Sequence, residues 1–67
     1  MQGRIDEACA LGQTAAAGAP GSPAVWKFLG QCYMRLGERE RAVVYYRRYL
    51  ELAPESSDAL FVRQMIE

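Results

Sequence analysis

The stretch Trp26-Lys27-Phe28-Leu29-Gly30-Gln31-Cys32-Tyr33 decides the reading of this chain. Trp26, Leu29 and Tyr33 recur at three- and four-residue intervals, so a helix brings them to one face, and Val25 and Leu36 extend that stripe in both directions. Gly30 carries no side chain, which lets a neighbouring element come close. Pro23 suits a first helical position, where its missing N–H has no bond to lose, and Ser22 before it can cap with its hydroxyl. Gly37 ends the segment as a residue with easy access to positive φ. The spacing predicts a helix over 23–36.

The same logic extends outward. A helix is predicted from 38 or 39 to 52, with Ala42, Val43, Tyr46, Tyr49, Leu50 and Ala53 on its buried side and Pro54 unable to continue its ladder. Upstream, Ile5, Ala8, Cys9 and Leu11 form a partial stripe and Ala15–Ala17 add propensity, predicting a helix over 4–17 that Gly18, Pro20 and Gly21 end. Downstream, a fourth helix is expected from Ser56 or Ser57 towards Ile66, with Asp58 in its first turn, where the helix dipole favours an acid. Gly3, Ala8, Ala19, Pro20 and Ser22 return 34 residues later as Gly37, Ala42, Ala53, Pro54 and Ser56, the mark of one architecture repeated.

The order W-x-x-L-G-x-x-Y at Trp26, Leu29, Gly30 and Tyr33, followed by Ala42, Tyr46 and Pro54, resembles the tetratricopeptide repeat, a helix–turn–helix unit of 34 residues. The resemblance implies an all-α fold, a right-handed solenoid of antiparallel helix pairs with about four helices in a single domain. Residues 1–22 would be the second helix of a preceding half-repeat, 23–56 a complete repeat, and 57–67 the first or capping helix of a following half-repeat. Trp26, Leu29 and Tyr33 would then interleave with Val43, Tyr46 and Leu50 as core, with Gly30 and Ala42 allowing the two backbones to approach. The chain also departs from the pattern. Gly12 stands where the third helix has Tyr46, which predicts a thin first helix. Tyr49 stands where the family usually has Ala and needs room beside the fourth helix. Leu60, Arg63 and Gln64 occupy the places of Trp, Leu and Gly, which reads as a solvated capping helix.

At 67 residues the chain is marginal alone, since a domain of this size buries only about 60% of its unfolded surface. Eight bases balance eight acids, which argues against a nucleic-acid binder that works by bulk charge; no nucleic acid is expected. No apolar run is long enough to span a membrane, and the N-terminal ten residues do not read as a signal peptide, so a cytoplasmic location is expected. Histidine is absent, and no phosphate loop or nucleophile–base arrangement can be built, so no enzymatic activity, no cofactor and no metal is expected. Cys9 and Cys32 lack metal-site spacing. They read as two small buried hydrophobes, with a single bridge between them as the alternative.

In the resembled family, the first helices of successive units line a concave face. On the second helix here, Ala24, Lys27, Phe28, Gln31, Met34 and Arg35 point away from the Trp26 stripe; on the fourth, Asp58, Phe61, Val62 and Met65 are the equivalent surface. The expected function is protein–protein interaction. A peptide or partner protein would lie in a groove lined by these two helices, with Phe28, Met34, Phe61 and Met65 supplying apolar area and Lys27, Gln31 and Arg35 orienting it. Some members clamp the carboxylate of chaperone tails with Lys and Asn. Only Lys27 matches here, Gln31 and Val62 replace polar partners, and such clamping is not expected. Tyr45, Arg47 and Arg48 read as a solvated helix face, with phosphate or base stacking as the alternative. Two other functional readings stand beside the first. One is homo-oligomerisation that buries Ile5, Leu11 and the apolar side of the fourth helix. The other is an accessory repeat segment of a larger enzyme or of a secretion or assembly protein, suggested by a start midway through a repeat unit.

Overall fold

A computed structural model describes residues 2–66 of the chain, with side chains from Arg4 to Ile66. Met1 and Glu67 lie outside the described residues. Four helices follow one another: α1 (Gln2–Gly18), α2 (Pro23–Arg35), α3 (Arg39–Leu52) and α4 (Ala59–Ile66). No strand occurs among the described residues, and the all-α expectation holds. Each helix packs on its neighbours in the chain, α2 most extensively on α3, then α1 on α2, with α4 resting on α3.

The turn between α2 and α3 is set by Gly37, whose φ is +80°. The Gly37 N–H donates to the Met34 carbonyl at 3.1 Å, and the Glu38 N–H to the Tyr33 carbonyl at 2.9 Å. This 5→2 and 6→1 pair satisfies the orphan carbonyls of α2 and reverses the chain within three residues. At the other end of α2, Pro23 occupies the first turn as expected, but the Ser22 hydroxyl makes no cap bond. The Ser22 carbonyl instead accepts from Val25 N–H at 3.3 Å. The predicted start of α4 also moves: residues 54–58 form turns, and the helix begins at Ala59. The Tyr49 hydroxyl explains this locally, because it hydrogen-bonds the Ser56 hydroxyl and holds that residue in the turn.

The core sits between α2 and α3. Leu29 and Ala42 expose none of their surface and Tyr46 exposes 1%. Tyr33, Tyr49, Cys9, Cys32, Ala59 and Val62 are also buried. Gly30 does not serve a backbone-to-backbone approach. It makes room for an aromatic ring: a Cβ at Gly30 would lie 2.7 Å from Cδ1 and Cε1 of Tyr46. Gly12 is likewise no mere weak point of α1. A Cβ there would meet Leu29 Cδ2 at 2.8 Å and the Phe28 ring at 3.0 Å, so its bareness lets α1 reach α2.

Trp26 departs from the predicted core. It is half-buried, and its indole N–H donates to the Pro20 carbonyl at 2.8 Å, which holds the ring at the edge where that donor is satisfied. It begins an aromatic ladder, with Trp26 and Tyr45 centroids 6.0 Å apart and Tyr45 and Tyr33 centroids 5.3 Å apart. Arg48 lies 5.8 Å over Trp26, Arg41 lies 4.7 Å over Tyr33, and Gln13 of α1 donates to the hydroxyls of both Tyr33 and Tyr45. Val43, Leu50 and Ala53, expected inside, are half-buried.

Candidate functional site

Two adjoining cavities lie along α2 and α4. The larger, about 610 Å³, is lined from α1 by Arg4, Ile5 and Ala8, from α2 by Phe28, Gln31, Cys32, Met34 and Arg35, and by Tyr46 and Met65. The smaller, about 200 Å³, lies between Lys27 and Gln31 on one side and Asp58, Phe61, Val62 and Met65 on the other, with Tyr46 again part of its lining. Gln31, Tyr46 and Met65 line both, so the two adjoin across these side chains and together make a two-part trough.

Periodicity explains how the side chains arrive there. Phe28, Gln31 and Arg35 recur along α2 at three- and four-residue steps and emerge beside the buried Leu29–Tyr33 stripe. Phe61 and Met65 are four apart on α4 and share one face. Each of Lys27, Phe28, Gln31, Met34, Arg35, Phe61 and Met65 lines one or both cavities. Phe28 and Phe61 line different cavities, so the exposed apolar groups are strung along the trough and do not form one cluster. Val62, read from sequence as surface, is buried, because α4 turns it onto α3. Ala24 faces a separate apolar hollow with Leu11 and Val25.

Sequence reasoning missed the α1 wall and Tyr46. Ile5 and Ala8 belong to the stripe read from sequence, of which Ile5 was given to a self-association face with Leu11, and Arg4 had no signal of its own. Tyr46 was correctly placed in the core, yet its position beneath both cavities depends on how the ring crosses Gly30.

The electrostatics are uneven along the trough. Lys27 Nζ donates to Asp58 Oδ2 at 2.7 Å, linking α2 to the turn before α4. That hydrogen bond raises the lysine above its ordinary value of 10.5 against a smaller opposing effect of burial. Arg4 and Arg35 pair with no acid among the described residues, and the larger cavity has no acidic side chain in its lining. Burial raises the Tyr46 hydroxyl above its ordinary 10.0, so it remains protonated at neutral pH. Cys9 and Cys32 are both free and buried, and interact across the α1–α2 contact. Burial, then the hydrogen bond with Cys32, pushes the Cys9 thiol up to about 11. No group of three or more His, Cys, Asp or Glu able to hold a metal occurs among the described residues.

The sequence profile of the tetratricopeptide repeat matches residues 1–63, nearly the whole chain. The chain belongs to the tetratricopeptide repeat family. Tetratricopeptide repeats generally mediate protein–protein interaction and are typically non-catalytic. No curated protein and no solved structure matches the chain. No helix among the described residues is long and apolar enough to cross a membrane. On this tetratricopeptide frame Tyr45 is a rung between Trp26 and Tyr33, and Arg48 lies over Trp26 and pairs with Glu51 at 3.4 Å. Two of the three groups read as a candidate base-stacking patch are therefore engaged within the chain itself.

Proposed function

We propose that this chain is a protein-binding module whose ligand, a peptide or an exposed segment of a partner protein, lies in the trough along α2 and α4. The observation that carries the reading is a pair of adjoining cavities lined by Phe28, Met34, Phe61 and Met65 with polar Lys27, Gln31 and Arg35 among them. Ligand sites are concave and mainly apolar, with a few polar groups that fix orientation. The methionines suit an adaptable surface, since their unbranched side chains repack around different partners. The domain division goes with this reading: 23–56 is the complete repeat, 1–22 supplies the preceding wall and 57–67 the following one. The reading assigns the module to the cytoplasm, where buried cysteines such as Cys9 and Cys32 stay reduced.

The test is a peptide-display selection against the purified chain, followed by affinity measurement on Lys27→Glu/Phe61→Ala. Selected peptides should bind the double variant at least about tenfold more weakly, the loss of one apolar anchor and one orienting charge. Unchanged affinity would remove the trough from consideration.

Leu11 and Leu60, on the two outermost helices, are 70% and 66% exposed, which favours self-association as a second reading. Light scattering at two well-separated concentrations distinguishes it: a constant monomer mass rules it out.

A further inference from the structure

The chain has four tyrosines, and three have hydroxyl partners within it: Tyr33 and Tyr45 accept from Gln13, and Tyr49 pairs with Ser56. Tyr46 has none among the described residues, although its side chain is the most deeply buried of the four. Its ring is fixed over Gly30, and it lines both halves of the trough. No buried side-chain polar atom lacks a partner among the described residues, so the Tyr46 hydroxyl is not sealed in the core but opens to solvent at the trough, where a ligand oxygen can replace water. A rigid donor at the junction of two cavities is thus preset for an oxygen arriving in the trough.

Charge adds the second element. Arg4 on α1 and Arg35 on α2 both line the larger cavity, both are exposed, and no acid lines it among the described residues. At the other end Lys27 is already neutralised by Asp58. The trough is therefore cationic at one end and balanced at the other. Two exposed guanidinium groups on different helices match two carboxylates better than one, because each can take its own partner in the planar geometry it prefers.

Resting on the reading of the trough as the binding face, we propose that its ligand is an acidic peptide segment: two acidic side chains opposite Arg4 and Arg35, a main-chain carbonyl accepting from the Tyr46 hydroxyl, and an apolar residue over Met65 towards Phe61. The segment passes through the trough, and its acids are side chains and not a chain terminus.

The experiment is an NMR titration of the full chain with three designed probes. The first is an N-acetylated, C-amidated peptide carrying two glutamates followed by glycine and leucine. The second replaces both glutamates with glutamine. The third is the glutamine peptide with a free C-terminal carboxylate. The proposal expects the glutamate probe to shift the amide resonances of Gln31, Arg35 and Met65 and to bind about tenfold more tightly than either other probe, with the preference falling as salt rises. Arg4→Gln/Arg35→Gln should abolish that preference. Tyr46→Phe should weaken all three probes alike, by about tenfold, while circular dichroism shows the fold retained. Equal binding of the glutamate and glutamine probes at those resonances would overturn this inference and leave the binding trough standing. Preference for the free carboxylate would overturn it in favour of a terminus. Binding of any probe at resonances remote from the trough, or of none, would overturn both readings.

Discussion

Adding one methyl group at Gly30 should destabilise the fold although it improves helix propensity. Gly30→Ala lies within α2, where Ala is favoured over Gly by about 1 kcal/mol on intrinsic grounds. Against this, the new Cβ would sit 2.7 Å from Cδ1 and Cε1 and 2.8 Å from Cζ of Tyr46, well inside van der Waals contact. The neighbour cannot swing away cheaply, because Tyr46 exposes 1% of its surface and is packed into the core cluster. Overpacking of this kind costs about 1–3 kcal/mol, and a rigid neighbour puts the cost in the upper part of that range. The net loss should be about 1–2 kcal/mol. For a chain this short that is a fall in Tm of roughly 5–15 °C. Thermal and urea denaturation followed by circular dichroism measure it. Gly18→Ala is the control, since nothing lies within 4 Å of a Cβ there, and it should hold or raise Tm. Adding Tyr46→Leu to Gly30→Ala should cost less than the two changes summed, because the clash disappears with the ring. If Gly30→Ala raised Tm as the control does, the ring-on-glycine account of the α2–α3 contact would be refuted.

Gly37→Ala should cost about 1–2 kcal/mol in urea denaturation, because its φ of +80° forces Cβ against the following carbonyl; a loss no larger than at Gly18 would contradict this. Leu29→Ala, which truncates a side chain with no exposed surface, should cost about 2–5 kcal/mol and leave a chain this small largely unfolded by circular dichroism at room temperature. Asp58→Asn should change stability by less than about 1 kcal/mol, since both partners of the ion pair are partly exposed. It should nonetheless return Lys27 towards 10.5 in an NMR titration of the lysine side chain. The Cys9 thiol, held protonated by burial up to about 11, should react with a thiol reagent far more slowly in the folded chain than in urea. As pH rises from the ordinary 9.0 towards 11 the unfolded chain releases this proton first, so stability should fall across that window, and less steeply in Cys9→Ala.

Much of the fold was legible because its signals are local. The helices α2 and α3, the centres of their stripes at Leu29, Tyr33, Ala42, Tyr46 and Tyr49, Pro23 at the opening of α2 and the positive φ of Gly37 each depend on residues a few positions apart, and each appears as read. The errors cluster where partners are distant in sequence. Ser22 has a cap's identity, but its hydroxyl bonds no helical N–H. Val62 faces α3 because of the angle at which α4 settles, which no spacing within α4 reveals. The α2 spacing puts Trp26 in the core with Leu29 and Tyr33, whereas its N–H donates to the Pro20 carbonyl and the ring stays at the edge. Along the trough, the α2 and α4 residues could be named from helical phase, while Arg4 and Ile5 enter only when α1 is laid beside α2, and Tyr46 only when α3 lays its ring across Gly30.

By itself the sequence determined the four helices, the stops between α1, α2 and α3 and the repeat to which they belong, because hydrogen-bond periodicity and glycine and proline chemistry act over a few residues. Tertiary structure alone decided which bare glycine receives which neighbour, which aromatic remains at the surface and which tyrosine hydroxyl is left for the trough. These depend on the distances and angles between helices, which arise from close packing of side chains far apart in the chain. The same packing separates the paired Lys27 from Arg4 and Arg35, so among the described residues one end of the trough is cationic and the other neutral.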